Sequence, residues 1–345
     1  MKLFVTVGTT EFERLIETIN EEDVMKQLSQ IGVTEMVVQY GHGKYIPESK
    51  AGITVHSFSM KTSISEDFKA ADLIITHAGA GSVNEALSVK KPTIVVINDA
   101  LMNNHQTEIA KKLSELGAVT YCPSPSILKE LLSHYTVQPG KDIVLKGKEV
   151  DEKIGYLMKE WCGLDKNKDK EICVVLGSGG HTMEMLHVLH PLDELCHDVI
   201  KQFDVIVAES DNISSKKLEG IKSKYNVHQI PRSRKVGQSY FTSIFTTLYA
   251  IFVCIGMVLK IRPEVLLCNG PGTCVPVCIC CWFLNLFQRK KTRIVYLESV
   301  CRVTTLSLTG KILKFIADIF VIQWEELKPL NRNAIVHHLF YASDN

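Results

Sequence analysis

The chain has 345 residues, which suffices for two domains that each bury a core of their own. Hydrophobic residues make up 46% and charged residues 22% of the sequence, as in ordinary globular proteins. The formal net charge is +1 and no segment resembles an RNA- or DNA-binding module, so these features argue against nucleic acid as a partner.

Short apolar, β-rich runs alternate with helical patterns through the first half of the chain. Strands are predicted at residues 3–7, 35–39, 53–58, 73–76, 93–97 and 118–121. Helices are predicted at residues 12–31, 82–89, 103–116, 124–134 and 149–161. Continuous apolar strands that alternate with helices indicate a parallel, doubly wound sheet.

A polar segment separates the two halves. Residues 163–171 (GLDKNKDKE) are charged and begin with glycine, which is typical of a solvated linker. We therefore expect a first domain at residues 1–162, a linker at 163–171 and a second domain at 172–345. The chain opens on a strand-like run without the basic region and cleavage site of a signal peptide.

The alternation starts again after the linker. Strands are predicted at residues 172–176, 204–208, 227–230, 265–268, 294–297 and 319–322. The fold class is therefore α/β, with two Rossmann-like, doubly wound domains. Ligands of such sheets bind at the carboxyl ends of the strands, so we expect the domains to face each other across a cleft, each with one substrate.

Residues 239–259 form an uncharged segment about as long as a membrane-spanning helix. The segment contains several Ser, Thr and Tyr residues, and it lies between two predicted strands of one domain. These features favour a helix that packs on the domain and dips into a membrane surface over a true span.

The chain contains 11 cysteines, an odd number spread over long apolar segments. This distribution favours reduced, buried thiols over a disulfide framework. Cys278 and Cys281 have the spacing of a metal-binding pair, but there is no second pair to complete a zinc site, so packing is the favoured interpretation.

The strongest motif of the first half is THAGAGS at residues 76–82, between a strand and a helix. Its small residues let the backbone approach a phosphate, and the helix N-terminus favours an anion. Ser82 and Glu85 have the spacing of a capping box, so Glu85 either caps the helix or binds ribose hydroxyls. Residues 103–106 (NNHQ) likewise cap a helix or bind sugar hydroxyls.

These segments match a known family. Residues 76–85, Lys91-Pro92 and residues 104–106 resemble the donor-binding half of GT-B glycosyltransferases that use UDP-GlcNAc. With residues 4–10 (FVTVGTT), the first half is similar throughout to the catalytic subunit of the dolichol-pathway enzyme that adds the second GlcNAc. The resemblance implies that the donor is bound by Gly8, Thr9, His77, Ala78, Gly79, Gly81, Ser82, Glu85, Asn104, His105 and Gln106.

The second half resembles the partner subunit of the same enzyme. The matching motifs are GSGGHT at 177–182, PRSR at 231–234, CNGPGT at 268–273 and YLES at 296–299. The chain is thus similar to a fusion of the two subunits, with the donor half first. No membrane anchor precedes residue 172, so we expect membrane contact from residues 239–259 and 275–287 or through another protein.

Two residues of the second half are candidates for the general base. His181 follows the loop of residues 177–180, and an imidazole near its normal pKa can take a proton from an acceptor hydroxyl. It can instead only orient the loop. Glu298, at a strand end, is the rival. An acceptor diphosphate would bind Ser178, Gly179, Gly180, Arg232, Arg234, Asn269, Gly270 and Gly272.

The resemblance implies an inverting N-acetylglucosaminyldiphosphodolichol N-acetylglucosaminyltransferase. It would move GlcNAc from UDP-GlcNAc to GlcNAc-diphospho-dolichol and form the β1,4-linked di-GlcNAc lipid of N-glycosylation. The expected location is the cytosolic face of the endoplasmic reticulum membrane, peripheral or shallowly inserted, in the company of other pathway enzymes.

Two alternatives stay open, a UDP-GlcNAc 2-epimerase and a non-catalytic nucleotide-sugar-binding scaffold at the membrane. The sequence contains no Asp-x-Asp motif, so no metal site is predicted and no cofactor is required. A loosely bound Mg²⁺ is left open.

Overall fold

The computed structural model describes residues 1–99, 106–164, 169–209, 211, 214–232 and 240–342. They form two compact units. The first comprises Met1–Val144 and the chain from Tyr341 onward, and the second comprises Leu145–Phe340.

The first unit is a six-stranded parallel sheet with helices. Its strands are β1 (Lys2–Thr6), β2 (Glu35–Gln39), β3 (Thr54–Phe58), β4 (Leu73–His77), β5 (Thr93–Val96) and β6 (Thr120–Cys122). Its helices are α1 (Glu13–Ile19), α2 (Glu22–Gln30), α3 (Ser65–Ala70), α4 (Ala80–Ser88), α5 (Gln106–Glu115) and α6 (Leu128–Ser133). The strand order is β3-β2-β1-β4-β5-β6.

Both faces of this sheet are buried. Leu3 and Val5 of β1 point into one apolar cluster, whereas Phe4 points into another on the opposite face. Burial of alternate residues on both faces explains why the strands read as continuous apolar runs. The predicted doubly wound α/β fold is confirmed for this half.

The helix predicted at residues 12–31 is interrupted, and this prediction was wrong in detail. The chain leaves the helix at Asn20, and α2 begins at Glu22. The Asn20 side chain donates to the carbonyl of Glu48 at 2.7 Å and accepts from the Tyr45 hydroxyl at 2.9 Å. An Asn that bonds to distant groups in this way competes with helix continuation.

The second unit is a seven-stranded sheet. Its strands are β7 (Lys170–Val175), β8 (Ile200–Ala208), β9 (Tyr225–Ile230), β10 (Val265–Asn269), β11 (Arg293–Leu297), β12 (Ile319–Ile322) and β13 (Ile335–Val336). Its helices are α7 (Lys148–Cys162), α8 (Gly180–Cys196), α9 (Tyr240–Ile261), α10 (Cys274–Asn285) and α11 (Leu308–Leu313). The strand order is β13-β12-β11-β10-β7-β8-β9, all parallel.

Helix α7 packs in the second unit, although the sequence places it in the first domain. Its apolar residues Ile154, Met158 and Trp161 join the core of the second unit. Gly155 lets α7 approach α8, since a Cβ there would lie 2.8 Å from the Pro191 carbonyl oxygen. The observed division therefore falls between Val144 and Leu145, before the polar segment that suggested a linker.

Helix α9 is the long apolar helix that the sequence predicts. Ala250, Cys254 and Val258 are buried along one side, and α9 packs against α10. The opposite side exposes large apolar residues. None of the described helices has both the length and the hydropathy that crossing a bilayer requires.

Candidate functional site

Each sheet has one point at which the strand order reverses, and ligands of doubly wound sheets bind there. In the first unit this point lies between β1 and β4, and in the second between β7 and β10. The glycine-rich segments that the sequence singles out follow these four strands. The topology thus places both predicted loops where such a fold binds ligands.

The loop that follows β4 is built around the ring of His77, the last residue of that strand. Gly8 follows β1 with a φ of +62°, and a Cβ there would lie 2.9 Å from Cε1 of His77. A Cβ at Gly79 would overlap the same ring. Glycine at both positions therefore lets two backbone segments enclose the imidazole.

The His77 imidazole is a buried, neutral group. Its side chain is 7% exposed, and Nδ1 has no hydrogen-bond partner among the described residues. Burial lowers the pKa of His77 to about 4, although a backbone contact with Thr6 opposes this shift. Because its ring is enclosed, His77 supports the loop from behind.

Of the two alternatives for Glu85, the capping box with Ser82 is not formed. Helix α4 begins at Ala80, its N-cap is Gly79, and no side chain caps it. Ser82 therefore lies in the first turn, and Glu85 lies one turn further, with the Ser65 hydroxyl 3.5 Å from its Oε1. Gly79 can serve as the N-cap so close to the strand end because it lacks a Cβ, which would overlap the His77 ring.

The first turn of α4 presents free space beside its backbone. A Cβ at Gly81 would meet no atom of the described residues within 4 Å, and Ala78 before the turn is fully buried. Thr9 is exposed on the neighbouring loop. Gln106 is the first residue of α5, whereas Asn104 and His105 lie outside the described residues.

The loop of residues 177–180, which follows β7 in the second unit, is fixed by hydroxyl groups. Thr182 and Ser214 both donate to the carbonyl of Gly177, Ser214 at 3.0 Å. Gly179 has a φ of +63°, and Ser178 and Gly179 are exposed. The loop thus turns sharply before α8 begins at Gly180, with its outer residues open to a ligand.

His181 lies in the first turn of α8 and pairs with Glu184. Nδ1 of His181 is 3.2 Å from Oε2 of Glu184, and the two side chains are 35% and 9% exposed. Burial lowers the pKa of His181. The hydrogen bond and charge of Glu184, with the charge of Glu298, outweigh that effect and leave the pKa above its ordinary value.

Glu298 occupies a closed position behind the loop. It is 1% exposed and accepts hydrogen bonds from Tyr296, Ser299 and both the amide and the hydroxyl of Ser307, all at 3.0–3.1 Å. A Cβ at Gly310 would overlap its Oε2. Burial raises the pKa of Glu298, and these hydrogen bonds oppose the rise. A carboxylate with this many donors is typical of a structural group.

The loop after β10 contacts His181 directly. Nδ2 of Asn269 donates to the His181 carbonyl at 2.8 Å, and a Cβ at Gly270 would lie 2.6 Å from Cε1 of the ring. Gly272 is exposed at the start of the next turn. Arg232 follows β9 and is half-buried, whereas Arg234 lies outside the described residues.

Two residues of this site have no assigned role in the sequence-based prediction. Glu184 pairs with His181, and the Ser299 hydroxyl donates to Oε1 of Glu184 at 2.7 Å. The spacing of His181 and Glu184, three positions apart on a helix, is a signal that places both on one face. No sequence pattern connects Ser299 to them.

All eleven cysteine side chains are buried. Burial raises the pKa of Cys278 to about 11 and that of Cys281 to about 12, so both are protonated thiols at neutral pH. Among the residues that the structure describes, no group of three or more His, Cys, Asp or Glu side chains could hold a metal ion.

The second unit also exposes a broad apolar surface, here called the apolar strip. α9 packs against α10 and α10 against α11, and their outer residues are exposed. The strip comprises Phe245, Leu248, Tyr249, Phe252, Trp282, Phe283, Leu286, Phe287, Leu308 and Phe315. Exposed apolar surfaces of this extent mark interaction sites.

Two family models match consecutive parts of the chain. The glycosyltransferase family 28 C-terminal domain matches residues 2–151, and the model described as oligosaccharide biosynthesis protein Alg14 like matches residues 172–339.

Similar proteins are known for both halves. UDP-N-acetylglucosamine transferase subunit ALG14 of Mus musculus is 43% identical over 170 residues, which cover 46% of this chain and 76% of that protein. UDP-N-acetylglucosamine transferase subunit ALG13 of Homo sapiens is 44% identical over 122 residues, which cover 35% of this chain and 11% of that protein. A solution NMR structure of ALG13 is 28% identical, covers 40% of this chain and 88% of that one, and has a TM-score of 0.33.

Proposed function

This chain belongs to the Alg14-like family of oligosaccharide biosynthesis proteins, and on that premise we propose that it transfers GlcNAc from UDP-GlcNAc to dolichyl-diphosphate-linked GlcNAc. The observation that carries the proposal is the union, in one chain, of homologues of the two UDP-GlcNAc transferase subunits. The proposed enzyme is thus a natural fusion, with the donor half first. Its reaction belongs to the synthesis of dolichol-linked oligosaccharides.

The donor half binds the diphosphate of UDP-GlcNAc at the start of α4. Its support, among the described residues, is the open space at Gly81 and the lack of a side-chain cap at the start of this helix. When the bond to the sugar breaks, negative charge grows on the diphosphate of UDP. The N-terminal end of a helix dipole stabilises charge of that sign.

The acceptor half provides the base. Nε2 of His181 takes the proton of the acceptor hydroxyl as its oxygen attacks the anomeric carbon, and the bond to UDP breaks on the opposite side. This in-line displacement inverts the configuration at that carbon. A partly exposed imidazole beside a carboxylate supports this role, whereas the enclosed carboxylate of Glu298 fits a positioning role.

The decisive experiment incubates the full chain with UDP-GlcNAc and a phytanyl-diphosphate-GlcNAc acceptor. We expect a di-GlcNAc lipid with a β1,4 linkage and release of UDP. Folded protein that makes no such lipid would refute the proposal. A parallel reaction without acceptor tests the 2-epimerase alternative, because that enzyme would form ManNAc from the donor alone.

We further propose that the apolar strip lies on the cytosolic surface of the endoplasmic reticulum membrane, close to the lipid acceptor. Its residues Phe252, Phe287 and Phe315 are 77%, 74% and 78% exposed. The exposed cations at its borders suit anionic lipid head groups: Lys260, Arg262, Arg289, Lys290, Lys291 and Lys311.

Flotation with liposomes that contain anionic lipid tests this surface. Wild-type protein should float, and the triple change of Phe252, Phe287 and Phe315 to Ser should abolish flotation. Tyr156→Ser is the matched control, because Tyr156 is 59% exposed on α7, away from the strip. Flotation of the triple variant at the wild-type level would contradict the assignment.

A further inference from the structure

We propose that Glu184 is a positioning residue that holds His181 with its proton on Nδ1 and so leaves Nε2 as the atom that accepts the acceptor's proton. The inference rests on the proposed function for its chemistry, whereas the hydrogen bond itself belongs to the second unit alone.

The geometry selects one tautomer. Nδ1 of His181 lies 3.2 Å from Oε2 of Glu184, three residues further along α8. An ionised carboxylate can only accept hydrogen bonds, so Nδ1 must donate. In the neutral ring the other nitrogen then carries the lone pair.

Glu184 is itself held by groups from two other elements. The Ser299 hydroxyl, after β11, donates to its Oε1 at 2.7 Å, and Asn269, the last residue of β10, places Nδ2 3.4 Å from its Oε2. The same amide donates to the His181 carbonyl, so Asn269 joins the turn that carries the imidazole to the carboxylate. Three elements thus fix the pair.

The Glu184 carboxylate is buried, although burying a charged group costs free energy. Glu184 is 8% exposed in the first turns of a helix whose apolar neighbours Met185 and Leu186 enter the core. A leucine would pack in such a place without the cost of burying a charge. The imidazole beside it supplies the reason, because the carboxylate stabilises the positive charge that the ring gains during transfer.

The ring has charged neighbours on more than one side. Glu184 faces it from its own helix, Glu298 acts on it from the end of β11, and Arg302 acts from the segment that follows. Among the residues that the structure describes, Glu184 alone is in hydrogen-bond contact with it. The backbone at Gly270 closes off one edge, which leaves little freedom for rotation.

The proposed step breaks two bonds and forms two. The acceptor O–H bond breaks as the Nε2–H bond forms, and the acceptor oxygen bonds to the anomeric carbon. The bond from that carbon to the UDP oxygen breaks, and its electron pair leaves with UDP. His181 becomes an imidazolium, and the negative charge of Glu184 balances its positive charge. Glu184 itself does not take up the proton.

The direct test is NMR of the full chain labelled with ¹⁵N at histidine. We expect the neutral ring of His181 to carry its proton on Nδ1 in the wild type. In Glu184→Gln the pKa of His181 should fall, because the anion that raises it is gone. A wild-type ring protonated on Nε2, or a pKa that is unchanged in the variant, would overturn the proposal. This readout needs no activity, so it decides the inference even where the transfer assay fails.

Kinetics provide the second readout. Glu184→Gln should lower kcat about 100-fold with little change in the KM for UDP-GlcNAc, and the acid limb of the kcat profile should move to lower pH. Glu184→Asp should recover part of kcat. Ser299→Ala should cause a smaller loss in the same direction.

Glu194→Gln is the control, because Glu194 lies on the same helix, is exposed and pairs with Lys222. Its kcat and pH profile should match the wild type. Thermal unfolding of each variant shows whether it is folded, and a folded Glu184→Gln with normal kcat and an unmoved acid limb would refute the role.

Discussion

A histidine borders each of the two glycine-rich loops of this protein, yet the two rings differ in burial, hydrogen bonding and pKa. His77 in the first unit is enclosed, its Nδ1 lacks a partner among the described residues, and its pKa is lowered to about 4. His181 in the second unit is 35% exposed in its side chain and bonds to Glu184, and its pKa is raised.

The two rings differ because the two histidines lie at different positions relative to the end of the preceding strand. A histidine that ends a strand is covered by backbone on both sides and becomes part of the wall of its loop. A histidine in the first turn of the following helix has one edge free and can meet a carboxylate one turn away. The same kind of motif thus yields an enclosed, neutral ring in one unit and a partly exposed ring paired with a carboxylate in the other, which suits the proposed proton acceptor.

The largest expected effect is that of His181→Ala. Loss of the general base should lower kcat by about 10²–10⁴ at saturating acceptor, while the affinity for UDP stays at the wild-type value. Initial rates and UDP titration measure the two quantities. His197→Ala, an exposed position beyond the C-terminal end of the same helix, should retain the wild-type kcat. Near-normal kcat in His181→Ala would place the base elsewhere.

A change at His77 should instead alter how stability depends on pH. Because its folded-state pKa is about 4, the unfolded chain takes up the proton first as the pH falls below about 6.5. The stability of the wild type relative to His77→Gln should therefore decrease by about 2–3 kcal/mol between pH 7 and pH 4.5.

Urea unfolding at several pH values measures this difference. The stability of the wild type relative to His181→Ala should change in the opposite direction and increase as the pH falls. The raised pKa of His181 stabilises the folded state at low pH, and this contribution is lost as the pH rises. If the two differences in stability changed with pH in the same direction, the inferred difference between His77 and His181 would be contradicted.

Glu298→Ala should cost stability and leave chemistry largely intact. The groups that donate to this carboxylate would lose their buried acceptor, which costs about 1–3 kcal/mol. We expect kcat per folded molecule to stay within about tenfold of the wild type, less than the loss expected for a general base. A loss as large as that of His181→Ala, in protein that is fully folded, would make Glu298 the base.

The smallest effect is expected at Gly81. A Cβ there meets no atom of the described part of the chain, so Gly81→Ala should fold with unchanged stability or slightly higher, and any loss of UDP affinity reports a ligand in that space. We expect a loss of about tenfold, about 1.4 kcal/mol, by calorimetry. Gly79→Ala is the comparison, since its Cβ would overlap the His77 ring and should destabilise the unit itself.

The sequence predicts the sheets and both loops well for a physical reason. Buried strands of a parallel sheet are apolar throughout, and small residues follow them where a backbone must turn closely, so periodicity and glycine reveal both features. Within each sheet the strand order reverses at one point, between β1 and β4 or between β7 and β10. The glycine-rich segments that follow the two strands at that point therefore lie side by side.

Other features depend on packing that no local pattern contains. Helix α4 begins two residues before Ser82, and its N-cap Gly79 fits against the His77 ring only because it lacks a Cβ. Helix α7 looks like part of the first domain because a polar segment follows it, yet its apolar face fits α8. The contact of Ser299 with Glu184 joins residues far apart in the chain and requires the folded sheet.

The position of the chain end determines how the same fold could form from two separate polypeptides. Tyr341 pairs with Val144 in the first unit, whereas α7 packs in the second. A cut within residues 165–168 would therefore leave each fragment with a piece of the other's fold: the N-terminal fragment would carry α7, and the C-terminal fragment would carry Tyr341. The C-terminal fragment would need α7 from the other fragment to complete its core, whereas the N-terminal fragment would lack only the bridge from Val144 to Tyr341.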